Sequence, residues 1–165
     1  MAKVYLGLGS NLGDRGGNIR KALVSLERRG IRILRTSRIY ETEPVGFSGQ
    51  PWFFNMAVCA ETSLSPQEVL KAISAIEPAI GREKTHRNGP RKIDIDILFY
   101  GDLLIDEKGL RIPHPRAHER NFVLAPMNEI AAELVHPSLK KQMRELLKES
   151  DDKAIVRPLL AGANQ

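Results

Sequence analysis

The sequence predicts an α+β fold: an antiparallel sheet, helices laid against it and a C-terminal extension. Two observations carry this. Segments whose apolar residues recur at the helical period alternate with segments of β-branched and aromatic residues at period two, in the order strand, helix, strand, strand, helix, strand. The length and composition, 165 residues of which 42% are hydrophobic and 27% charged, suit one globular domain with a sizeable core.

Val4 to Gly9 reads as the first strand, running into Gly9-Ser10-Asn11-Leu12-Gly13-Asp14. The spacing Gly-x-Gly-x-x-x-Gly, with no Gly-Lys-Ser/Thr after it, supports neither a dinucleotide fingerprint nor a Walker loop, so a tight strand-to-helix turn is expected. A helix follows from Asn18 to Arg29 with Ile19, Leu23 and Leu26 as its apolar stripe, ended by Gly30. Ile31 to Thr42 is read as a second strand, and Glu43 to Pro51, with two prolines and two glycines, as a loop. The third strand, Trp52 to Thr62, puts Phe53, Asn55, Ala57 and Cys59 on one face and Phe54, Met56, Val58 and Ala60 on the other. Cys59 is thus expected as a core thiol.

Ser65-Pro66-Gln67-Glu68 announces a helix: an N-cap serine, proline at the first position and glutamate completing a capping box. Val69, Ile73, Ile76 and Ile80 give its stripe, Pro78 thins its last turn and Gly81 closes it. The fourth strand spans Ile93 to Tyr100; Leu103 to Ile105 and Leu110 to Ile112 form a hairpin around Asp106-Glu107-Lys108-Gly109. Helices are expected over Phe122 to Glu133 and Ser138 to Glu149, and the tail from Ser150 is expected to fray. This order is that of the ferredoxin-like βαββαβ arrangement, with the extension available for the sheet's other face.

The net charge of +5 and a pI near 9.5 are compatible with nucleic acid, an anionic surface or a phosphorylated small molecule. Cys59 is the only cysteine, so no internal disulfide forms and a reducing compartment is expected. With no apolar run of membrane-spanning length and no signal-like start, the expectation is a cytoplasmic protein.

Chemistry concentrates between Arg82 and Asp96. The loop Arg82 to Lys92 carries five Lys/Arg against one Glu and leads into Asp94-Ile95-Asp96. In a strand the two aspartates share a face with Cα atoms about 6.5–7 Å apart, where like charges repel. A hard cation such as Mg²⁺ relieves that; an exposed, solvated strand face is the alternative. Arg87, Arg91 and Lys92 just upstream are placed to meet phosphates, which favours the metal.

Taken together, Gly7-Leu8-Gly9-Ser10-Asn11-Leu12-Gly13, Tyr40-Glu41-Thr42-Glu43-Pro44, Gly89-Pro90-Arg91 with Asp94-Ile95-Asp96, and Pro113-His114-Pro115 resemble the 6-hydroxymethyl-7,8-dihydropterin pyrophosphokinase family over nearly the whole chain. The resemblance implies an enzyme that moves the β,γ-pyrophosphoryl group of ATP onto the pterin's hydroxymethyl oxygen, leaving AMP. It implies two Mg²⁺ ions on Asp94 and Asp96, a pterin between the rings of Phe53 and Phe122, and Asn55 reading the pterin's amide edge beside Thr42 and Val45, with Asp94 close by. Arg82, Lys84, Arg87 and Arg91 would meet ATP from the loop, with Arg82 and Arg91 catalytic, and His114 and Arg120 from the opposite side. Glu77 and Ile97 fall at nucleotide positions. Asn88 stands where better-known members carry Trp. The implied partners are small molecules only, with no nucleic acid, membrane or obligate protein partner.

Two other classes share some features. An RNA-binding module suits the element order and the pI, but its aromatic signature is missing and paired aspartates repel a phosphate backbone. A palm-like nucleotidyl transferase or cyclase also uses two aspartates, yet releases pyrophosphate rather than AMP.

Overall fold

β1 (Ala2–Ser10) is the central strand, paired antiparallel along its whole length with β4 (Phe53–Thr62) and on its other side with β5 (Asp94–Tyr100). The computed structural model describes residues 1–44, 49–81 and 90–160. Beyond β4 lie β2 (Ile31–Thr36) and β3 (Tyr40–Thr42), and β8 (Val156–Pro158) extends the sheet past β3, giving the order β5-β1-β4-β3-β8 with β2 also on β4. β6 (Ile105–Glu107) and β7 (Leu110–Ile112) form the expected hairpin as a sheet of their own, its first arm shifted two residues later so that Asp106 and Glu107 pair with Arg111 and Leu110. This is the α+β, ferredoxin-like sheet that the sequence predicts.

The helices follow from local chemistry. α1 (Arg15–Arg28) starts at Asp14, whose carboxylate accepts the Gly17 N–H at 3.0 Å. α2 (Pro66–Ile80) has the full capping box: Ser65 Oγ accepts from Glu68 N at 3.1 Å and Glu68 Oε1 from Ser65 N at 2.8 Å. Gly81, at φ 102°, closes α2 in a conformation that costs glycine little. Both helices cover one sheet face, burying Ile19, Leu26, Val69, Ile73 and Ile76 against Leu6, Leu8, Phe54, Val58 and Ile95. Each such side chain contributes about 1.5–3 kcal/mol by leaving water. The extension covers part of the other face. There α3 (Asn121–Ala131) and α4 (Met143–Glu149) pack Leu124, Met127, Met143 and Leu146 on Tyr5, Ala57, Leu98, Phe99 and Cys59, which is buried as expected.

Three expectations give way. The single strand over 31–42 is two, because residues 37–39 leave the ladder: Ser37 Oγ accepts the Ala57 N–H at 2.9 Å, and the Arg38 N–H donates to the Glu129 carboxylate on α3. The last helix begins at Met143 rather than Ser138: His136 Nδ1 accepts the N–H groups of Ser138 and Leu139 in a turn, Lys140 at φ 60° cannot continue a right-handed helix, and the His136 N–H donates to the Lys141 carbonyl at 2.8 Å. Over its described residues the tail is held rather than frayed. It pairs with β3 through Thr42↔Val156, Glu41↔Arg157 and Tyr40↔Pro158.

β1 carries glycine at two positions where neighbours come close. A methyl on Gly9 would lie 2.7 Å from Asn55 Oδ1, its cross-strand partner, whereas one on Gly7 would meet Leu98 at an ordinary 3.6 Å. Gly9→Ala is therefore expected to cost about 1–3 kcal/mol by displacing a buried hydrogen-bonded carboxamide, and Gly7→Ala markedly less. Urea denaturation of the two variants checks this; equal costs refute it.

His136 is buried, with its ring edge-on to Phe99 at 5.6 Å and to His118 at 5.9 Å. Burial first, then the nearby His118, holds its pKa below the usual histidine value. The folded form keeps the imidazole neutral while the unfolded chain protonates near pH 6.5. The unfolded state then binds more protons, so this contribution is present above pH 6.5 and lost as pH falls below it. His136→Gln should narrow its melting-temperature deficit to wild type between pH 7 and pH 5; a constant difference contradicts the assignment.

Candidate active site

Strand alternation aims Phe53 and Asn55 of β4, and Asp94 and Asp96 of β5, at the face that α3 and α4 cover only in part. At the uncovered end a pocket opens, floored by Gly7, Gly9, Asn55, Asp94, Asp96 and Leu98. Thr42 and Glu43 at the end of β3 form one wall; Arg120, Phe122 and Val123 at the start of α3 form another.

Asn55 is buried and oriented: its Nδ2 donates to Thr42 Oγ1 at 2.7 Å. The missing side chain of Gly9 makes room for its Oδ1. A buried carboxamide with a fixed orientation, beside the aromatic rings of Phe53 and Phe122, suits a flat heterocycle with an amide edge. The Arg120 guanidinium stands 5.5 Å from the Phe122 ring centroid.

Asp94 and Asp96 lie on one strand face, as the spacing implies. Arg91 Nη1 reaches Asp94 Oδ2 at 3.1 Å. Burial, then the charges of Asp94 and Glu77, push the Asp96 carboxyl up to about 7, against the opposing pull of Arg120 and Arg91. Two crowded carboxylates that resist ionising together are a donor set for a hard cation. Among the described residues no three His, Cys, Asp or Glu side chains cluster as metal ligands. The pair therefore fits an ion that completes its shell with water and substrate oxygens rather than an all-protein cage.

A second opening, lined by Leu70, Ile73, Ile97, Arg111 and His114, also includes Asp96. Asp96 thus borders both cavities. Burial and the charge of Arg120 hold the His114 pKa down, and its Nδ1 accepts the Arg116 N–H at 3.1 Å. Burial, then Arg116, lowers the pKa of Arg120 too, and its Nε is buried with no hydrogen-bond partner among the described residues. An unmet cationic donor next to two carboxylates is suited to a phosphate oxygen.

Thr42, Phe53, Asn55, Arg91, Asp94, Asp96, Arg120 and Phe122 all line the first pocket, while Ile97 and His114 join Asp96 at the second. Glu77 stands behind β5, where its Oε2 accepts the Ile95 N–H at 2.9 Å. Val45, Arg82, Lys84, Arg87 and Asn88 lie outside the described residues.

Sequence reasoning missed Gly9, Glu43 and Asn11. Gly9 had a signal, since glycine inside a strand marks a close approach. Asn11 had none, because its partners are distant in the chain. Its backbone N–H donates to Arg91 O at 2.9 Å and its Oδ1 accepts the Arg91 N–H at 2.7 Å, while Nδ2 donates to Gln50 Oε1 and Pro51 O at 2.7 and 2.9 Å.

The model of the family 7,8-dihydro-6-hydroxymethylpterin-pyrophosphokinase (HPPK) matches residues 5–132. An Aquifex aeolicus protein named 2-amino-4-hydroxy-6-hydroxymethyldihydropteridine pyrophosphokinase is 44% identical over 150 residues, covering 91% of this chain and 93% of its own. The Pneumocystis carinii folic acid synthesis protein fol1 is 46% identical over 134 residues, and there the chain spans only 18% of a much longer polypeptide. Among solved structures, a Plasmodium falciparum HPPK-DHPS crystal structure superposes with a TM-score of 0.73 at 21% identity, covering 90% of this chain and 43% of that one, a likeness of fold. By its sequence, the chain belongs to the 7,8-dihydro-6-hydroxymethylpterin-pyrophosphokinase family.

Proposed function

We propose that this chain, as a single cytoplasmic domain, transfers the β,γ-pyrophosphoryl group of ATP to the hydroxymethyl oxygen of 6-hydroxymethyl-7,8-dihydropterin, releasing AMP, as a step of folate synthesis. One observation carries the reading: a pocket built for a flat, amide-edged ring meets a second cavity at Asp96, one of two crowded aspartates. Transfer between two substrates needs two sites that meet at the reacting atoms.

Phe53 and Phe122 hold the pterin ring, and Asn55, oriented by Thr42, accepts from its amide edge. A ligand without those donors leaves a buried acceptor unpaired, which discriminates strongly. Val45 belongs to the same subsite. ATP takes the second cavity, with Ile97 and His114 against it and Arg120 directed at its phosphates. Arg82, Lys84, Arg87 and Arg91 belong to this nucleotide side. Arg91, tied to Asp94, is the cation placed to neutralise charge on the transferred group. Glu77 acts one step away, fixing the β5 backbone between the two aspartates.

Asp94 and Asp96 would hold Mg²⁺, two ions by the family resemblance, which shields the triphosphate's charge so that the hydroxymethyl oxygen can approach the β-phosphorus. The hydroxymethyl oxygen bonds to the β-phosphorus and gives up its proton to solvent, the bond from the β-phosphorus to the oxygen that bridges it to the α-phosphorus breaks, and that oxygen leaves on AMP. Only small-molecule substrates are required, with no nucleic acid or membrane.

Incubation with ATP, Mg²⁺ and the reduced pterin, followed by identification of the released nucleotide, tests the reading. AMP is expected; free pyrophosphate with a nucleotidylated product refutes it.

Asp94→Ala and Asp96→Ala should each leave a folded protein with almost no transfer. Without divalent cations their melting temperatures should equal or exceed that of wild type, because a like charge has been removed. Near-wild-type turnover by both variants at saturating Mg²⁺ would show that no metal sits there.

Stacking on an aromatic side chain is worth about 1–3 kcal/mol per base-like ring. Phe122→Ala should therefore weaken pterin binding about tenfold or more and leave nucleotide binding nearly unchanged. Calorimetry that finds equal losses for both ligands contradicts the assignment.

A further inference from the structure

The tail beyond α4 joins the pocket's two walls. At one end Asp152 Oδ2 accepts the N–H of Asn121 at 2.8 Å, and its backbone carbonyl accepts from Asn121 Nδ2 at 3.3 Å. Asn121 is the first residue of α3, and that helix has no side-chain cap from its own N-cap residue, Arg120. Asp152 thus supplies the capping anion from a distance, one residue before Phe122. Its other oxygen, Oδ1, accepts the Ala154 N–H at 2.9 Å and so turns the chain.

Three residues on, Ile155 is fastened to the opposite wall. Its N–H donates to Glu43 Oε1 at 2.6 Å, and its carbonyl accepts the Glu43 N–H at 3.1 Å. β8 then continues along β3 past Thr42, the residue that orients Asn55. The Arg157 guanidinium lies 4.9 Å from the ring of Trp52, the neighbour of Phe53.

We propose that Asp152–Leu159 is a brace that fixes the gap between the start of α3 and the end of β3, with Asp152 and Ile155 as positioning residues for the pterin; this rests on the pterin reading of the pocket. Three peptide steps span at most about 10–11 Å, so anchors at 152 and 155 cap how far the walls can part. A strand that merely covered the sheet edge would need the β3 pairing alone. The Asp152 anchor on α3 adds nothing to edge protection, but it does hold Phe122 opposite Thr42 and Glu43. A ring that stacks on Phe122 while bonding Asn55 needs that separation held, and a loose gap lowers affinity by making the ligand order it.

The test lengthens or releases the brace without altering a pocket side chain. Two glycines are inserted between Lys153 and Ala154, and separately Asp152→Ala is made, with Lys153→Ala as the control. Folding is followed by circular dichroism and thermal melting. Calorimetry measures binding of the reduced pterin alone and of a non-hydrolysable ATP analogue alone. The brace predicts that the insertion and Asp152→Ala each weaken pterin binding about fivefold or more, that analogue binding, in which Arg120 at the start of α3 shares, falls by a clearly smaller factor, and that Lys153→Ala matches wild type. Should either variant fail to fold, the other still decides. Unchanged pterin binding in a folded variant, or equal losses for both ligands, overturns the brace while leaving the proposed activity standing. A wild-type chain with no affinity for the pterin overturns the proposed activity itself.

Discussion

The crowding of negative charge on and behind β5 is the constraint that the rest of the site answers to. Asp94 and Asp96 share a strand face, and Glu77 contributes a third carboxylate close enough to disfavour ionisation of Asp96. At about 7 Å and an effective dielectric of about 20, two unit charges repel by about 2 kcal/mol. Arg120 and Arg91 offset part of this. Each is fixed by something remote: the backbone of Arg91 by Asn11, and the helix that follows Arg120 by Asp152. The site is thus a set of supports gathered around an arrangement that is unfavourable by itself, as expected where binding a polyanion and its counter-ions is to be favourable.

The sheet divides its labour by face. One face is apolar along its length and is covered by α1 and α2, which is where most of the hydrophobic stabilisation sits. The other is only partly covered by α3 and α4, and the pocket occupies what they leave. Because successive side chains on a strand point to opposite faces, β4 and β5 serve both purposes at once: Phe54 and Ile95 hold the core while Phe53, Asn55, Asp94 and Asp96 face the ligand side. A shift of register by one residue in either strand would exchange these sets, so core packing also fixes the chemistry in place.

How much of this was legible in the sequence follows from range. The capping box of α2, the hairpin β6–β7 and the alternation in β4 and β5 are set by residues a few positions apart, and they read correctly. The aspartates and the two aromatics were found because a strand face or a family motif marks them. What was missed depends on partners distant in the chain. Ser37 breaks the expected strand through Ala57, and the tail is ordered by Asn121, Glu43 and β3, which no local pattern reveals. Lys140, at φ 60°, interrupts the last helix, a turn that the apolar spacing from Leu139 to Leu146 does not show.

Asn11 is buried and serves two stretches of chain at once: its oxygen accepts the Arg91 N–H and its nitrogen donates to Gln50 Oε1 and the Pro51 carbonyl. Two of those partners are main-chain atoms, one a donor and the other an acceptor, so neither can reverse its polarity. Aspartate would offer two acceptors and no donor; serine has both but lacks the reach; glutamine is a methylene too long for the same cavity. The geometry leaves this position an alphabet of one letter. Drift in the surrounding loops has to proceed around it, because both stretches are measured from the same atom pair.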